Sequence, residues 1–488
     1  MYQRPSRRKQ LIQRISIYAG MSIAVIVLVV ALLFVVLGYQ LNRTDGRFEQ
    51  GGLVQFDSKP SGADVTIDGV GLGFRTATKS TLNAGDHFFS ISKNGYKTWQ
   101  KSVNLAPGAV VWLNYARLIP SDIKTENVLN FSHISSSVAS PDERWIGVQE
   151  DPATPLIRLV DISRREVKTK DIALPQTLYT APEPGKSQNF SLETWDPSSR
   201  YILVKHTFND TAVEWLIVDT QDPSRTKNIT VLLNVAMSKV VFNNGDSNIL
   251  YVQTDRDVRR VDVNAGTISR PLVGNVAEFS LFDRSTIVFS SYIDPITKAR
   301  QVGYYEDGAD KPHTIRTYTD DGQASLHVAL GKYFSEPYVA ISYGETLEIL
   351  RGDLPKDVGD VAKMAKETSL HITGGAQYVA IRTNGRFVVA QQGAEYYVYD
   401  NELKHQSKTT LKGQAPITKQ LSWLDNYMVW SDRDGMLRFY EFDGANQNDI
   451  MPVMSGQMVT LSADDTYVYA MTASQNGQHL TRARLILP

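Results

Sequence analysis

The residues best suited to chemistry are aspartates placed at alternate positions near turns. Asp255, Asp257 and Asp262 form one group, and Asp432 and Asp434 form a second. Calcium binds oxygen clusters of this kind, but neither group follows the full spacing of a calcium loop. Aspartate is also a common residue of hairpin turns, because its side chain bonds the local backbone. The sequence therefore favours a structural role for both groups and predicts no metal site.

The other side chains that commonly catalyse reactions are absent or scattered. Cysteine is missing from all 488 residues, which excludes disulfides, zinc–thiolate sites and thiol nucleophiles. The eight histidines are dispersed and include no His-x-x-x-His pair. The chain has no Gly-x-Ser-x-Gly elbow, phosphate-binding loop or dinucleotide fingerprint. We therefore predict no catalytic residue and no cofactor.

An apolar run at residues 15–40 predicts the cellular location of the protein. It contains no Asp, Glu, Lys, Arg or His, and roughly 20 apolar helical residues cross the hydrocarbon core of a membrane. Five basic residues precede the run: Arg4, Arg7, Arg8, Lys9 and Arg14. Since positive charge stays on the cytoplasmic side, residues 1–14 are predicted to be a cytoplasmic tail. Residues 15–40 are predicted to be a transmembrane signal anchor, and the rest of the chain to be exported.

The rival interpretation of this run is a cleaved signal peptide. Such a peptide has an apolar core of roughly 7–15 residues and a small-x-small cleavage site. The run here is longer, and the residues at 38–42, GYQLN, make a poor cleavage site. The sequence therefore favours an uncleaved anchor and a single-pass protein of the cell membrane.

The charge of the exported part bears on its partners. Five of the 51 lysines and arginines lie in the tail, and the rest are outnumbered by 52 aspartates and glutamates. A mildly acidic chain lacks the basic footprint of a nucleic-acid-binding protein. We expect the partners to be the membrane and an unknown protein or cell-wall polymer, with no nucleic acid.

Short strands separated by turns follow a polar linker at 41–52. The alternating stretch 63–67 leads into Asp68-Gly69, a strong hairpin signal, and further turn residues stand at 83–86 and 94–95. About five strands within residues 53–118 predict a small antiparallel β-sandwich.

This region resembles the PEGA domain, a small β-module of bacterial and archaeal surface proteins. The tetrapeptide that names the family stands here at 60–63, with Ser61 in place of the usual glutamate, and 75–78 replace a common Thr-Pro turn. The resemblance implies a prokaryotic protein and structural roles for the matched residues, with glycines at positive φ and His87 capping a strand. The matched residues are Pro60, Gly62, Ala63, Asp68, Gly69, Gly85, His87, Gly95, Tyr96 and Trp99.

Residues 119–488 repeat at the level of strands and turns. Aligned by their second strands, the units fall at Trp145, Tyr201, Ile249, Ile287, Tyr338, Phe387, Tyr427 and Tyr467. A repeat of about 46 residues is typical of propeller blades. We predict a β-propeller of about eight blades, or seven if the two N-terminal units share a sheet. The segment near 123–131 is expected to complete the last unit, and 357–367 to form a helical turn or two.

Three of these units share a hairpin with Ser/Asp-Pro-Asp-like turn residues, at 139–146, 195–202 and 461–468. This hairpin resembles that of TolB-like and WD-repeat-like propellers. The resemblance supports the all-β architecture of an anchor helix, a PEGA-like sandwich and a propeller.

The architecture predicts an extracytoplasmic binding or scaffold protein of the prokaryotic cell envelope. Propeller loops on a rigid scaffold would recognise protein or wall polymer without catalysis. Two alternatives stay open: a propeller hydrolase or lyase acting on cell-wall glycans, and a structural subunit of a membrane complex. Acidic side chains that converge in the channel with perturbed pKa values would favour the enzyme.

Overall fold

The structure, a computed structural model, describes residues 7–36, 39–41, 48–320, 322–355, 363–417 and 419–488. The chain divides into two units. The first unit comprises Met1–Asp122 with Ile486–Pro488, and the second comprises Ile123–Leu485. The last three residues of the chain thus belong with the sandwich and not with the repeats.

The N-terminal helix α1 spans Arg7–Val36. Within it, Arg14–Phe34 is long and apolar enough to cross a membrane, and none of this window is buried. After the helix, strand β1 (Tyr39–Leu41) pairs with β2 (Phe48–Gln50). An apolar helix that no protein core covers suits a lipid environment.

Seven further strands build the rest of the first unit: β3 Gly52–Lys59, β4 Asp64–Ile67, β5 Val70–Arg75, β6 Thr78–Leu82, β7 Gly85–Ser92, β8 Trp99–Leu105 and β9 Val110–Arg117. They form two sheets, β6-β3-β9 and β5-β4-β7-β8. Alternate side chains such as Val54, Phe56 and Phe89 are buried between the sheets, as expected for strands with one solvated face.

The prediction of a sandwich is confirmed, but the expectation of antiparallel pairing throughout is wrong. Strands β3 and β9 are parallel, with Leu53 opposite Val110. The chain leaves the first sheet, builds the second one, and returns to the first in the original direction. A long crossover of this kind is what parallel neighbours require.

The second unit begins with β10 (Thr125–Phe131), and its described residues form eight four-stranded antiparallel sheets. Sheet 1 contains β11 Ser136–Ala139, β12 Trp145–Gln149, β13 Leu156–Asp161 and β14 Lys168–Ala173; sheet 2, β15 Gln188–Trp195, β16 Tyr201–Phe208, β17 Ala212–Asp219 and β18 Lys227–Asn228; sheet 3, β19 Lys239–Phe242, β20 Ile249–Thr254, β21 Asp257–Asp262 and β22 Thr267–Ile268; sheet 4, β23 Val276–Leu281, β24 Thr286–Ser291, β25 Ala299–Glu306 and β26 His313–Thr319.

Sheet 5 contains β27 Leu326–Tyr333, β28 Glu336–Tyr343, β29 Thr346–Asp353 and β30 Lys363–His371; sheet 6, β31 Tyr378–Ile381, β32 Phe387–Gln392, β33 Glu395–Asp400 and β34 His405–Thr410; sheet 7, β35 Ser422–Trp423, β36 Met428–Ser431, β37 Met436–Glu441 and β38 Asn448–Pro452; and sheet 8, β39 Val459–Leu461, β40 Tyr467–Ser474 and β41 Gly477–Arg484 together with β10. A short helix α2 (Ile229–Leu233) and three 3₁₀ turns, Gln176–Leu178, Pro223–Arg225 and Arg433–Gly435, lie in connections.

The positions used to align the repeats fall in eight different sheets. Seven lie in the second strand of a sheet, and Tyr427 immediately precedes one. The two N-terminal units occupy separate sheets. The expected helical turn at 357–367 is wrong where the structure describes it, since β30 begins at Lys363. Residues 357–362 lie outside the described residues.

Neighbouring sheets pack through apolar side chains. One buried cluster joins sheet 8 to sheet 1 and includes Tyr469, Met471, Ile146 and Val148. In sheet 8, β10 pairs with β41, so the first and last strands of the second unit are neighbours. This pairing covers strand edges that would otherwise be exposed.

Short polar side chains hold the turn between the first two strands of several sheets. In sheet 2, the buried carboxylate of Asp196 accepts hydrogen bonds from the backbone N–H groups of Arg200 at 2.8 Å and Tyr201 at 2.6 Å. Asn243 and Asp425 bond backbone N–H groups in the same turn of sheets 3 and 7, where the sequence pattern is faint. The same turn geometry therefore also occurs in sheets that lack a clear Ser/Asp-Pro-Asp-like motif.

Candidate functional site

One strand from each of the eight sheets borders one of two cavities. Strands β11, β15, β35 and β39, of sheets 1, 2, 7 and 8, line the main cavity of about 620 Å³. Strands β19, β23, β27 and β31, of sheets 3 to 6, line a second cavity of about 330 Å³, and Gln420 borders both cavities. Cavities of this size, bordered by several repeats, are where propellers assemble binding sites.

Two of the aspartates singled out in the sequence line the main cavity, but both bond the backbone. Asp434 accepts hydrogen bonds from the N–H groups of Ala415 at 2.7 Å and Gln414 at 2.8 Å. These bonds lower the pKa of Asp434. Asp432 accepts a hydrogen bond from the N–H of Gly456 at 2.5 Å. Both carboxylates therefore hold the cavity loops in place.

The cations of the main cavity are also engaged with the backbone. Arg433 donates to the carbonyl oxygens of Ala415 at 2.5 Å and Leu411 at 2.8 Å. Lys419 donates to the carbonyl oxygen of Gly456 at 2.9 Å. These contacts fix the loops that precede sheets 7 and 8.

Two lining residues that the sequence did not single out are Glu193 and Trp430. The strand register shifts between Leu192 and Thr194, so Glu193 is the extra residue of a β-bulge. A bulge re-aims a side chain, and Glu193 is exposed in the cavity wall. Neither Glu193 nor Trp430 forms a side-chain hydrogen bond, ion pair or ring contact with any described residue. A one-residue register shift has no compositional signal.

The charges of the second cavity are compensated. Lys239 donates to the carbonyl oxygen of Phe279 at 2.6 Å, and its ammonium lies 4.6 Å from the Phe279 ring centroid. Burial lowers the pKa of Lys239, against the attraction of Glu278. Glu278 in turn lies 2.7 Å from Nδ1 of His327. The described charges here form a chain across sheets 3, 4 and 5.

The other group of aspartates is not brought together. Asp257 begins β21 and Asp262 ends it, while Asp255 lies in the preceding turn. Asp262 accepts hydrogen bonds from the N–H groups of Asn264 and Ala265. Within the part of the chain that the structure describes, no group of three or more Asp, Glu or His side chains could hold a metal ion.

The residues that match the PEGA family lie at turns and in the core of the first unit. Gly62, Gly69, Gly85 and Gly95 all have positive φ, between 74° and 135°, a conformation that favours glycine. The three apolar or aromatic positions, Ala63, Tyr96 and Trp99, are buried. Trp99 packs edge to face on Tyr115 with ring centroids 6.1 Å apart, and Tyr96 Oη accepts a hydrogen bond from the N–H of Leu487. Pro60 lies in the connection between β3 and β4.

His87 links two turns of the first unit. Its Nδ1 lies 2.7 Å from Asp68 Oδ2, and its Nε2 lies 2.8 Å from the carbonyl oxygen of Asn83. Partial burial opposes protonation, but these two hydrogen bonds outweigh it and raise the pKa of His87. The hydrogen bond from the Phe88 N–H, together with that from His87, lowers the pKa of Asp68. The imidazole therefore joins the turn at Asp68 to the turn at Asn83.

We expect this contact to make the first unit less stable as pH rises. The raised pKa of His87 gives stability that is complete below the unfolded value near 6.5 and is lost as pH rises through the folded value. The lowered pKa of Asp68 gives stability that is complete above 3.8 and is lost as pH falls through its folded value. The loss on raising pH should be below about 1 kcal/mol, because Asp68 is half exposed and solvent screens its interaction with His87.

The measurement is differential scanning calorimetry of the full chain between pH 5 and pH 8. His87→Gln should flatten the pH dependence of the first unit's transition. His405→Gln, at an exposed position of β34, should leave it unchanged. An equal slope in the wild type and in His87→Gln would contradict this role of His87.

Comparisons with known proteins bear on both units. The PEGA domain family model matches residues 52–118. No curated protein matches the sequence. Among solved structures, the chain is similar to the Dos1 propeller, with 12% identity, 74% of this chain and 95% of that chain covered, and a TM-score of 0.43.

Two further similarities are of the same extent. An oligogalacturonate lyase in complex with manganese has 12% identity, with 75% of this chain and 98% of that chain covered and a TM-score of 0.41. The Cps50 (Swd1) β-propeller domain of Myceliophteria thermophila has 9% identity, with 74% and 99% covered and a TM-score of 0.40. From the family match and from the four-stranded sheets described above, the chain combines a PEGA domain at residues 52–118 with a β-propeller.

Proposed function

We propose that this protein is a single-pass scaffold of a prokaryotic cell envelope, anchored by α1, which presents its propeller outside the cytoplasm to bind a protein or wall polymer. The observation that carries the proposal is the order of the parts. An uncovered apolar helix with a basic N-terminal flank precedes a PEGA domain, and the propeller follows. With the basic flank retained in the cytoplasm, the propeller and its cavity would lie on the exported side.

One carboxylate of the main cavity, Asp434, is suited to holding a loop and not to glycan cleavage. A general acid needs a carboxyl group whose pKa is raised, so that it keeps its proton until it donates it. Among the carboxylates that line the cavity, Asp434 has a lowered pKa, and its oxygens are bonded to backbone N–H groups. A group of this kind fixes a loop and is a poor proton donor.

We expect single-cysteine labelling to report the proposed orientation. Because the chain contains no cysteine, each substitution provides one thiol on a silent background. Ile296 is 89% exposed on the propeller. A membrane-impermeant maleimide should label Ile296→Cys in cells without an outer membrane or in spheroplasts. The same reagent should label Gln3→Cys only after lysis.

The reverse pattern, with Gln3→Cys labelled in intact cells and Ile296→Cys protected, would overturn the orientation. If the membrane-bound Gln3→Cys protein takes up no maleimide label even after lysis, the N-terminal segment has been cleaved. Replacing Arg7, Arg8, Lys9 and Arg14 by neutral residues should mix the two orientations, because their charge sets the topology.

A further inference from the structure

Among the described charged side chains that line the main cavity, Glu193 is the one without a bonding partner. Asp432, Asp434, Arg433 and Lys419 all bond backbone atoms of the cavity loops. Glu193 bonds no described residue, although its bulged position exposes it in the cavity wall. The cavity therefore presents an exposed carboxylate with no partner among the described residues, which a cation can approach at little structural cost.

One aromatic ring in the wall of the same cavity, that of Trp430, has no partner among the described residues. Trp430 is half-buried, and its indole has no stacking, cation or hydrogen-bond partner in the described chain. Nearby in the lining, the Trp423 ring already holds a guanidinium, since Arg382 lies 4.3 Å from its centroid. Tryptophan is the side chain whose face attracts cations most strongly. Trp430 offers the same surface without an internal cation.

The size and composition of the cavity decide what kind of cation it takes. Calcium needs six to eight oxygen ligands, and one uncommitted carboxylate cannot supply them. A volume of about 620 Å³ with an aromatic wall suits an organic group. We infer that the main cavity binds an organic amine or guanidinium cation, which pairs with Glu193 and stacks on Trp430. This inference rests on the proposed binding function and gives it a ligand class.

Isothermal titration calorimetry of the full chain in detergent tests the inference. The probes are N-acetyl-arginine amide and the peptide Ala-Ala-Arg-Ala-Ala, each compared with its citrulline counterpart, which is neutral and similar in shape. The arginine probes should bind about tenfold or more tightly than the citrulline probes, and added salt should weaken them. Tighter binding of the peptide than of the amide would identify a protein segment as the source of the cation, and equal binding a free small cation.

Three variants separate the site from the fold. Glu193→Gln should weaken the arginine probes by about tenfold, since it removes the charge at an exposed side chain without internal bonds. Trp430→Leu should weaken them as well. Glu166→Gln changes an exposed carboxylate outside the cavity, also without a partner among the described residues, and should leave binding unchanged.

The inference would be overturned by equal binding of arginine and citrulline probes, by no binding of the arginine probes, or by unchanged binding in Glu193→Gln. The assay uses purified protein and does not depend on membrane orientation. Its failure is therefore distinguishable from failure of the labelling experiment, which tests the anchor and the export of the propeller.

Discussion

Replacing Arg386 by methionine should destabilise the second unit by about 3–5 kcal/mol, because it leaves the buried carboxylate of Asp400 and the partly buried carboxylate of Glu402 without their cation. Arg386 is 4% exposed. Its guanidinium donates from Nε to Oδ1 of Asp400 at 3.1 Å and from Nη2 to Oδ2 at 2.8 Å, and it also pairs with Glu402. Methionine keeps much of the aliphatic length, so the effect reports the lost charge more than a cavity.

Two opposing effects act on the pKa of Glu402 in this cluster. Burial raises the pKa of Glu402, and Arg386 opposes the rise. Without the guanidinium the carboxyl group would take up a proton more readily or remain as an unpaired buried charge. Glu402→Gln, added to Arg386→Met, should therefore restore part of the lost stability.

The measurement is the urea midpoint of the propeller transition in the full chain, with Arg351→Met as the matched control. Arg351 pairs with Glu336 at the surface, where the side chains are 43% and 46% exposed. Removing an exposed pair should have only a small effect on stability. The prediction fails if Arg386→Met shifts the midpoint no further than Arg351→Met does.

The repeats could be located from the sequence because their second strands are apolar and are bounded by turn residues. Trp145, Tyr201 and Tyr467 each begin such a strand. The turns before them contain Ser140, Asp196 and Ser462, whose side chains accept the backbone N–H of the aromatic residue itself. This local hydrogen bond requires a short polar side chain at a fixed position before the aromatic residue. The turn therefore leaves a recognisable motif in the sequence.

The pairing of distant strands could not be predicted in the same way. The parallel contact between β3 and β9 depends on the chain crossing to another sheet and back. Likewise, the stretch from Lys363 has a helical pattern in isolation but forms a strand, because it pairs with β29 along its length except at one register shift. Tertiary pairing outweighs local propensity at both places.

The candidate site was missed because its members are remote in sequence and have no motif. Glu193 and Trp430 lie in sheets 2 and 7, and both line the main cavity. The bulge that exposes Glu193 is a shift of one residue in the pairing of β15 with β16. By contrast, Asp432 and Asp434 were singled out from the sequence because aspartates at short spacing are typical of turns. In the structure both carboxylates accept hydrogen bonds from backbone N–H groups of the cavity loops.

The second large effect is expected at the buried pair of His206 and Glu214 in sheet 2. The two side chains are 0% and 2% exposed, with Nδ1 and Oε1 2.7 Å apart. Glu214 also accepts hydrogen bonds from the backbone N–H and the hydroxyl of Thr180, in the connection that follows sheet 1. His206 stacks against Phe190 with ring centroids 4.1 Å apart. Glu214→Leu should therefore cost at least about 3 kcal/mol, since it leaves the buried imidazole of His206 without its partner.

The effect of Glu214→Leu should depend on pH in a defined direction. Burial alone would raise the pKa of Glu214, but the hydrogen bonds from His206, Thr180 and Asn228 outweigh burial and lower it. The contribution of Glu214 is thus complete above its unfolded value of 4.5 and is lost as pH falls through the lower folded value. The difference in unfolding free energy between the wild type and Glu214→Leu should shrink as pH falls below about 4.5.

Urea unfolding of the full chain at pH 7, 5, 4 and 3 measures this difference. Asp210→Ala is the matched control, because Asp210 pairs with Lys186 and ties the same connection to sheet 2, but with side chains 53% and 46% exposed. Its cost should stay below about 1 kcal/mol. If Glu214→Leu and Asp210→Ala are equally mild at pH 7, the connection is held by its other contacts and not by the buried carboxylate. If the Glu214→Leu difference instead stays constant down to pH 3, Glu214 makes its contribution without its charge.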